Sequence, residues 1–287
     1  MDKQTVYEII NNRVIKLLES GNIPWKKPWK PGDAPRNYRG TIYRGVNVWI
    51  LEATRQDKGY KSNVWMTYNQ ALGLKGQVRG GEHGTPVIFW HFVEQKDKQN
   101  SDKKSSFAML RYYTVFNYDQ IDGLPELKVT ESTLQTDEKL ESIYQNMPGK
   151  PAIKSGGNKA FYSPTLDYVG MPPLAQFENT SGYYSTLYHE LGHSTGHETR
   201  LNRFAKDDSH NFGGEDYSKE ELVAEMTASY LCGEVGIIDL TINNAAGYIQ
   251  SWLSALKNDK TMLVKAGGQA QKAVDYILNR KPEAVTD

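Results

Sequence analysis

The chain has 287 residues, 34 basic and 34 acidic side chains, six tryptophans and a single cysteine. One cysteine excludes an intrachain disulfide framework, and the length suits two domains. No apolar run approaches the ~18 residues of a membrane span or forms the core of a secretory leader, so composition predicts a soluble, cytoplasmic protein with no membrane partner.

In chain order, the first twenty residues read as an amphipathic helix, with Val6, Ile9, Ile10, Val14, Leu17 and Leu18 at helical intervals and Gly21 as its stop. Pro24, Pro28 and Pro31 then exclude a helix interior. Residues 36–49 read as loop and element-start sequence. The aromatic and branched runs 64–68, 86–93 and 109–116 predict strands, with the polar stretch 95–106 as a long hairpin loop. A weakly helical segment, 130–148, leads through Gly-rich sequence to short strands at 160–164 and 167–172, which offer a sheet edge for a peptide. Helices follow at 219–231, 245–256 and 269–279, and Cys232 is read as packing. The expected fold is α+β: a small α+β domain over residues 1–130, then a second domain over 131–287.

Charge divides at nearly the same place. Residues 1–128 carry 20 Lys and Arg against 13 Asp and Glu, whereas residues 129–287 carry 14 against 21. Between Arg13 and Arg79 the count is 13 basic to 4 acidic, a composition that attracts polyanions. Five tryptophans, Trp25, Trp29, Trp49, Trp65 and Trp90, lie in this basic half. Single-stranded nucleic acids are bound by positive grooves lined with aromatic faces, each stacked base contributing ~1–3 kcal/mol. Trp49, Trp65 and Trp90 alternate with aliphatic residues and read as core. Trp25, Trp29, Tyr38 and Tyr43 sit among Pro, Gly and charges. With Lys26, Lys27, Lys30, Arg36, Arg39 and Arg44 they are the candidate contacts to single-stranded DNA, the competing reading being an ordinary solvated basic face.

The run His189-Glu190-Leu191-Gly192-His193 carries the chemistry. Residues four apart on a helix are neighbours, ~5–6 Å between Cβ atoms, which suits two imidazoles on one zinc with Glu190 as general base. Asn179, Thr180 and Ser181 are N-cap candidates, and Tyr184, Leu187, Tyr188 and Leu191 form a core-facing stripe. Gly192 weakens that helix by up to ~1 kcal/mol, which makes sense where another backbone or the metal approaches closely. His197 lies ~12 Å further along a straight helix, and a three-histidine site needs its last histidine where Thr199 stands. Glu221 is the better third ligand, with Glu225 one turn on as acceptor from a ligand histidine. Glu225, Glu220 and His210 are alternatives as ligand, and a capping box between Ser218 and Glu221 is the purely structural reading. Zinc is the expected ion, or another divalent metal such as Mn2+.

Both halves resemble one family, the ArdC-type antirestriction proteins of conjugative plasmids and related mobile elements. The resemblance rests on Ile23-Pro-Trp-Lys-Lys-Pro-Trp29, Tyr43-Arg-Gly-Val-Asn47, Trp65-Met-Thr-Tyr68, the sequence 183–197 around the metal motif, Arg200-Leu-Asn-Arg203 and Glu220-Glu-Leu-Val-Ala-Glu225. It implies a single-stranded DNA-binding domain joined to a zincin-like metallopeptidase domain that protects incoming DNA from host restriction. By position, His189, His193 and Glu221 would hold the metal and Glu190 would be catalytic; Ser194 departs from the bulky aromatic expected in relatives. The protein substrate is not indicated. The rival expectation is a non-catalytic protein that shields single-stranded DNA stoichiometrically and carries a structural metal.

Overall fold

A capping box starts the chain's first helix: the Thr5 hydroxyl accepts from the Glu8 backbone N–H, and the Glu8 carboxylate accepts from the Thr5 N–H at 2.9 Å. The computed structural model describes residues 5–26, 29, 33–96, 104–127, 137–204, 215–237 and 246–281. In order the elements are α1 (Val6–Glu19), β1 (Arg36–Asn37), α2 (Val46–Lys58), β2 (Val64–Thr67), α3 (Tyr68–Gly73), β3 (Gln77–Val78), β4 (Thr85–Lys96), β5 (Lys104–Asn117), β6 (Ile121–Asp122), α4 (Asp137–Gln145), β7 (Ala152–Ser155), β8 (Phe161–Ser163), β9 (Tyr168–Met171), α5 (Thr180–Ser194), α6 (Glu215–Val235), α7 (Ala246–Asn258) and α8 (Met262–Ile277). This is a mixed helix and sheet fold, and none of the described helices is long and apolar enough to cross a membrane.

The first half is built on a sheet ordered β1-β2-β5-β4, in which β1 is parallel to β2 and the other pairs are antiparallel. A small second sheet pairs β3 with β6. The β4–β5 ladder reaches Lys96 and Lys104, so both ends of the polar stretch expected as loop are strand, and residues 97–103 between them lie outside the described residues. Strand β2 stops at Thr67, because Thr67 and Gln70 form a capping box that turns the chain into α3. Helix α2 begins at Val46, inside the stretch 36–49 read as loop and element start, and runs on to Lys58. Its Asn47 side chain donates to the Ile88 carbonyl at 2.7 Å and accepts from the Ile88 N–H at 2.8 Å, tying the helix to β4.

In the second half β7, β9 and β8 form a three-stranded sheet in that order, packed on α5. Helices α5, α6 and α8 pack against one another behind it.

The expected boundary at residue 130 lies outside the described residues. On either side of it, one hydrophobic core continues: Ile10, Val14, Trp25, Trp29, Trp49 and Ile50 belong to the same cluster as Leu187, Leu222, Trp252 and Val274. Helix α1 rests on α7 and α8, where the buried Asn11 amide donates to the Leu256 carbonyl at 2.7 Å. The start of α2 meets α8 so closely that a Cβ on Gly267 would lie 2.9 Å from the Val46 nitrogen. Arg44 pairs with Asp275 at the same junction.

Shared burial of this kind predicts one cooperative unfolding transition for the full chain, coincident by tryptophan fluorescence and far-UV circular dichroism. Two separated transitions would contradict it. Trp29→Ala, in the first half, should lower the unfolding free energy read from that same transition in urea by about 3–5 kcal/mol.

Candidate metal centre

Helix α5 starts where the Asn179 side chain accepts from the Gly182 N–H at 2.8 Å, and its apolar stripe of Leu187, Tyr188 and Leu191 is fully buried. That burial fixes the helix's rotation and turns His189 and His193 toward α6. The two helices approach closely because Gly192 has no side chain. A Cβ there would sit 3.1 Å from the Ala224 Cα and 3.3 Å from the Ala224 carbonyl oxygen. The backbone approach expected at Gly192 is therefore that of α6.

Across this contact, His189 Nε2 and His193 Nε2 are 3.1 Å apart, and Glu221 oxygens stand 3.5 and 3.4 Å from them respectively. These three residues form the one His, Cys, Asp or Glu cluster of metal-binding geometry among the described residues. Tetrahedral ligands ~2.0–2.1 Å from an ion lie ~3.3 Å from one another. The donor set and its spacing therefore fit a divalent metal.

Electrostatics agrees with that fit. Burial opposes charge on His193, but the Glu220 and Glu221 carboxylates outweigh it and push the imidazole up to about 10. Burial also opposes ionisation of Glu221, yet the two histidines hold its carboxyl well below the usual range. Such a cluster binds protons where no ion is present, and a metal displaces them. Glu190 is buried next to His189, and its charge is felt at His193.

Three carboxylates on α6 are thus sorted by their partners. Glu221 joins the histidines. Glu220 stands 3.5 Å from His193 Nδ1 and is held by Arg203, whose guanidinium donates to its two oxygens at 2.6 and 3.1 Å. Arg203 also donates to the Gly192 carbonyl at 2.9 Å and the Thr195 hydroxyl at 2.6 Å, bracing the two helices together. Glu225 is buried, and its Oε2 accepts from the Trp25 indole N–H at 2.9 Å and from the Tyr248 hydroxyl. For His193 the outer-nitrogen partner is Glu220; the expected Glu225 hydrogen-bonds Trp25 and Tyr248. Helix α6 is already helical at Glu215, so Ser218 lies inside it and is not its cap. His197 turns away to hydrogen-bond Thr199. His210 lies outside the described residues.

The candidate DNA contacts fare differently. Trp25 and Trp29 are 0 % and 3 % exposed, packed edge-on against Trp252 and Tyr230, and Tyr43 is 8 % exposed. Prolines excluded a helix there but did not keep the rings in water, and the expectation of exposed stacking faces is corrected for all three. Trp49 and Trp65 are core as expected. Arg36 pairs with Asp33, and Arg44 is committed to Asp275. Tyr38 and Arg39 remain together at the surface, the guanidinium donating to the tyrosine oxygen at 2.9 Å. Lys26 is partly exposed, while Lys27 and Lys30, like the Trp90 side chain, lie outside the described residues. Periodicity gave no hint of Arg203 or Tyr248, whose contacts join elements far apart in sequence. It also passed over Arg111, Tyr112 and Tyr113, all exposed on β5.

Comparison with known proteins places these features in a family. The model for the N-terminal domain of anti-restriction factor ArdC matches residues 4–116, and that for a zincin-like metallopeptidase matches residues 138–269. A DNA primase TraC of Escherichia coli is 37% identical over 298 residues, covering 96% of this chain but 20% of the primase, so the chain spans about a fifth of that relative. An uncharacterized protein y4eC of Sinorhizobium fredii is 34% identical over 97% of this chain and 93% of its own length. The crystal structure of the antirestriction ArdC protein from plasmid R388 superimposes with a TM-score of 0.80 in both its metal-free and its Mn(II)-bound form. The identities are 38% and 39%, over 97% and 96% of this chain and 100% and 98% of those chains.

The Gly192 contact makes a signed prediction. Gly192→Val should destabilise the protein by about 1–3 kcal/mol in urea, since overpacking must separate α5 from α6. Gly268→Ala, on α8 where a Cβ meets nothing within 4 Å, should instead stabilise it by roughly 0.5–1 kcal/mol.

Proposed function

This chain belongs to the ArdC antirestriction family, and from that premise we propose that it is a metal-dependent peptidase associated with single-stranded DNA, which protects the incoming DNA of a mobile element from host restriction. The observation that carries the reading is the convergence of His189 Nε2, His193 Nε2 and a Glu221 oxygen, all within 4.8 Å of one another, beside the buried Glu190.

In this reading His189, His193 and Glu221 hold the ion, zinc or the manganese found in the R388 ArdC structure. The ion supplies Lewis acidity toward a peptide carbonyl. Glu190 Oε accepts a proton from the attacking water and delivers it to the departing amine. Glu220, clamped by Arg203, fixes the orientation of His193. The strand β8 is at the edge of its sheet and packs on α5, so its outer backbone groups suit an extended peptide substrate laid alongside.

The DNA reading rests on the excess positive charge of the first half and on the aromatics left in water. Tyr112 and Tyr113 are 47 % and 48 % exposed on β5, next to Arg111. There β5 pairs with β4 alone, since its ladder with β2 covers residues 115–117 only. Successive residues of a strand face opposite sides, so this ribbon offers one ring on each face. Tyr38 and Arg39 supply a second aromatic and basic pair.

Two measurements check the reading. Glu190→Gln is expected to bind metal like wild type, by elemental analysis, and to lose protection of DNA in cells; full protection by this variant would assign the activity to stoichiometric shielding of DNA. Tyr112→Ala combined with Tyr113→Ala should weaken binding of an oligothymidylate by about tenfold or more, read by fluorescence anisotropy, with affinity falling as salt rises.

A further inference from the structure

The segment between α1 and β1 reaches the second half of the chain through a buried hydrogen bond as well as through its rings. Trp25 Nε1 donates to Glu225 Oε2 at 2.9 Å across 200 positions of sequence, from a ring that is wholly buried and edge-on to Trp252 with centroids 6.0 Å apart. Tyr248, on α7, donates its hydroxyl to the same oxygen. Two donors on one buried carboxylate oxygen leave it a single orientation.

Glu225 lies one turn beyond Glu221 on α6, which puts the two carboxylates on one face. The outer nitrogens of the two histidines are served unequally: His193 Nδ1 faces Glu220, whereas His189 Nδ1 is buried with no hydrogen-bond partner among the described residues. Both donors to Glu225 use Oε2, and His189 is near enough for its charge to be felt at this carboxylate. An outer partner of this kind fixes a ligand histidine's tautomer and basicity, and its loss costs 10–100-fold in metal affinity.

We propose that Trp25 is a positioning residue of the metal centre: its indole N–H, with the Tyr248 hydroxyl, sets the Glu225 carboxylate that supports His189, so that the metal site is completed by the N-terminal segment. The proposal rests on the metal-site reading above. It also gives the buried tryptophan of the Ile23-Pro-Trp motif a task other than contact with DNA. Because coupling is reciprocal, an ion bound by His189 must in turn act on the Trp25 to Glu225 hydrogen bond.

The test uses the full-length chain and Zn2+ as the probe. Trp25→Phe keeps a ring against Trp252 and removes only the N–H; its dissociation constant for Zn2+, by calorimetric competition with a chelator, should rise about tenfold or more. Tyr248→Phe should act in the same sense, and keeps the idea testable where Trp25→Phe fails to fold. Combining Trp25→Phe with Glu225→Gln should cost no more than Glu225→Gln alone, since both act through one carboxylate. In the wild type, the Trp25 indole 1H–15N resonance should shift on addition of Zn2+, and in Glu225→Gln it should not. Wild-type affinity in Trp25→Phe overturns the proposal, as does full additivity in the double variant, which would mark Trp25 as packing only. Wild-type protein that binds no metal at all would instead overturn the metal-site reading itself.

Discussion

The close crossing of α5 and α6 at Gly192 is the constraint from which the site follows. Helix backbones approach this nearly only where one partner has no side chain, and Ala224 on the other helix keeps the opposing surface small. The apolar stripe of α5 decides which way the histidines point, and the Gly192 to Ala224 contact decides how far they are from Glu221. A residue with any side chain at 192 would move the third ligand by the fraction of an ångström that metal coordination resolves. Arg203 closes the same crossing from the side, spending its donors on the Gly192 carbonyl, the Thr195 hydroxyl and the Glu220 carboxylate.

The two halves, divided by charge in the sequence, are joined by burial in the fold. Charge patterns describe surfaces, and they carry no information on where a core ends. Helix α1, the Trp25 segment and the start of α2 all lay apolar or hydrogen-bonding groups against α6, α7 and α8. The proline-rich stretch illustrates the mechanism. Prolines forbid regular secondary structure, but a chain without ladder hydrogen bonds is free to wrap across another surface, and large aromatic rings then supply the burial that anchors it. Trp25 and Trp29 do this, and Trp25 also joins Tyr248 in donating to the buried Glu225 carboxylate.

What was legible in the sequence follows from the range of each interaction. The α5 motif was legible because its parts lie within one turn: the spacing of His189 and His193, the Asn179 cap and the Leu187-Tyr188-Leu191 stripe are all local. Glu221 was legible as a type of residue on a second predicted helix. The first and last helices and the aromatic strands showed in their periodicity, with ends displaced wherever a cap such as Thr67 intervened. Helix α2 was read only as an element start, because its opening residues Val46, Val48, Trp49 and Ile50 are branched and aromatic types enriched in strands. Exposure of Trp25, Trp29 and Tyr43 was misjudged because neighbouring lysines and prolines are poor guides to a ring's surroundings: a lysine reaches solvent along its stem while the residue beside it is covered.

The same limit explains why three glutamates within six positions could not be told apart. Glu220, Glu221 and Glu225 are chemically identical and sit on one helix, and helical spacing alone makes any of them a plausible ligand. Their roles are assigned by groups supplied from elsewhere: the guanidinium of Arg203 beyond the end of α5, the two imidazoles, and the indole and phenol of Trp25 and Tyr248. Each partner also fits the charge state its carboxylate has to keep. A cation beside Glu220 and imidazoles beside Glu221 hold those two ionised, whereas burial of Glu225 among neutral donors pushes its carboxyl up to about 7. A single helix therefore presents carboxylates of unequal basicity to one site, and that inequality comes from the tertiary fold, with the N-terminal half contributing as directly as the helix itself.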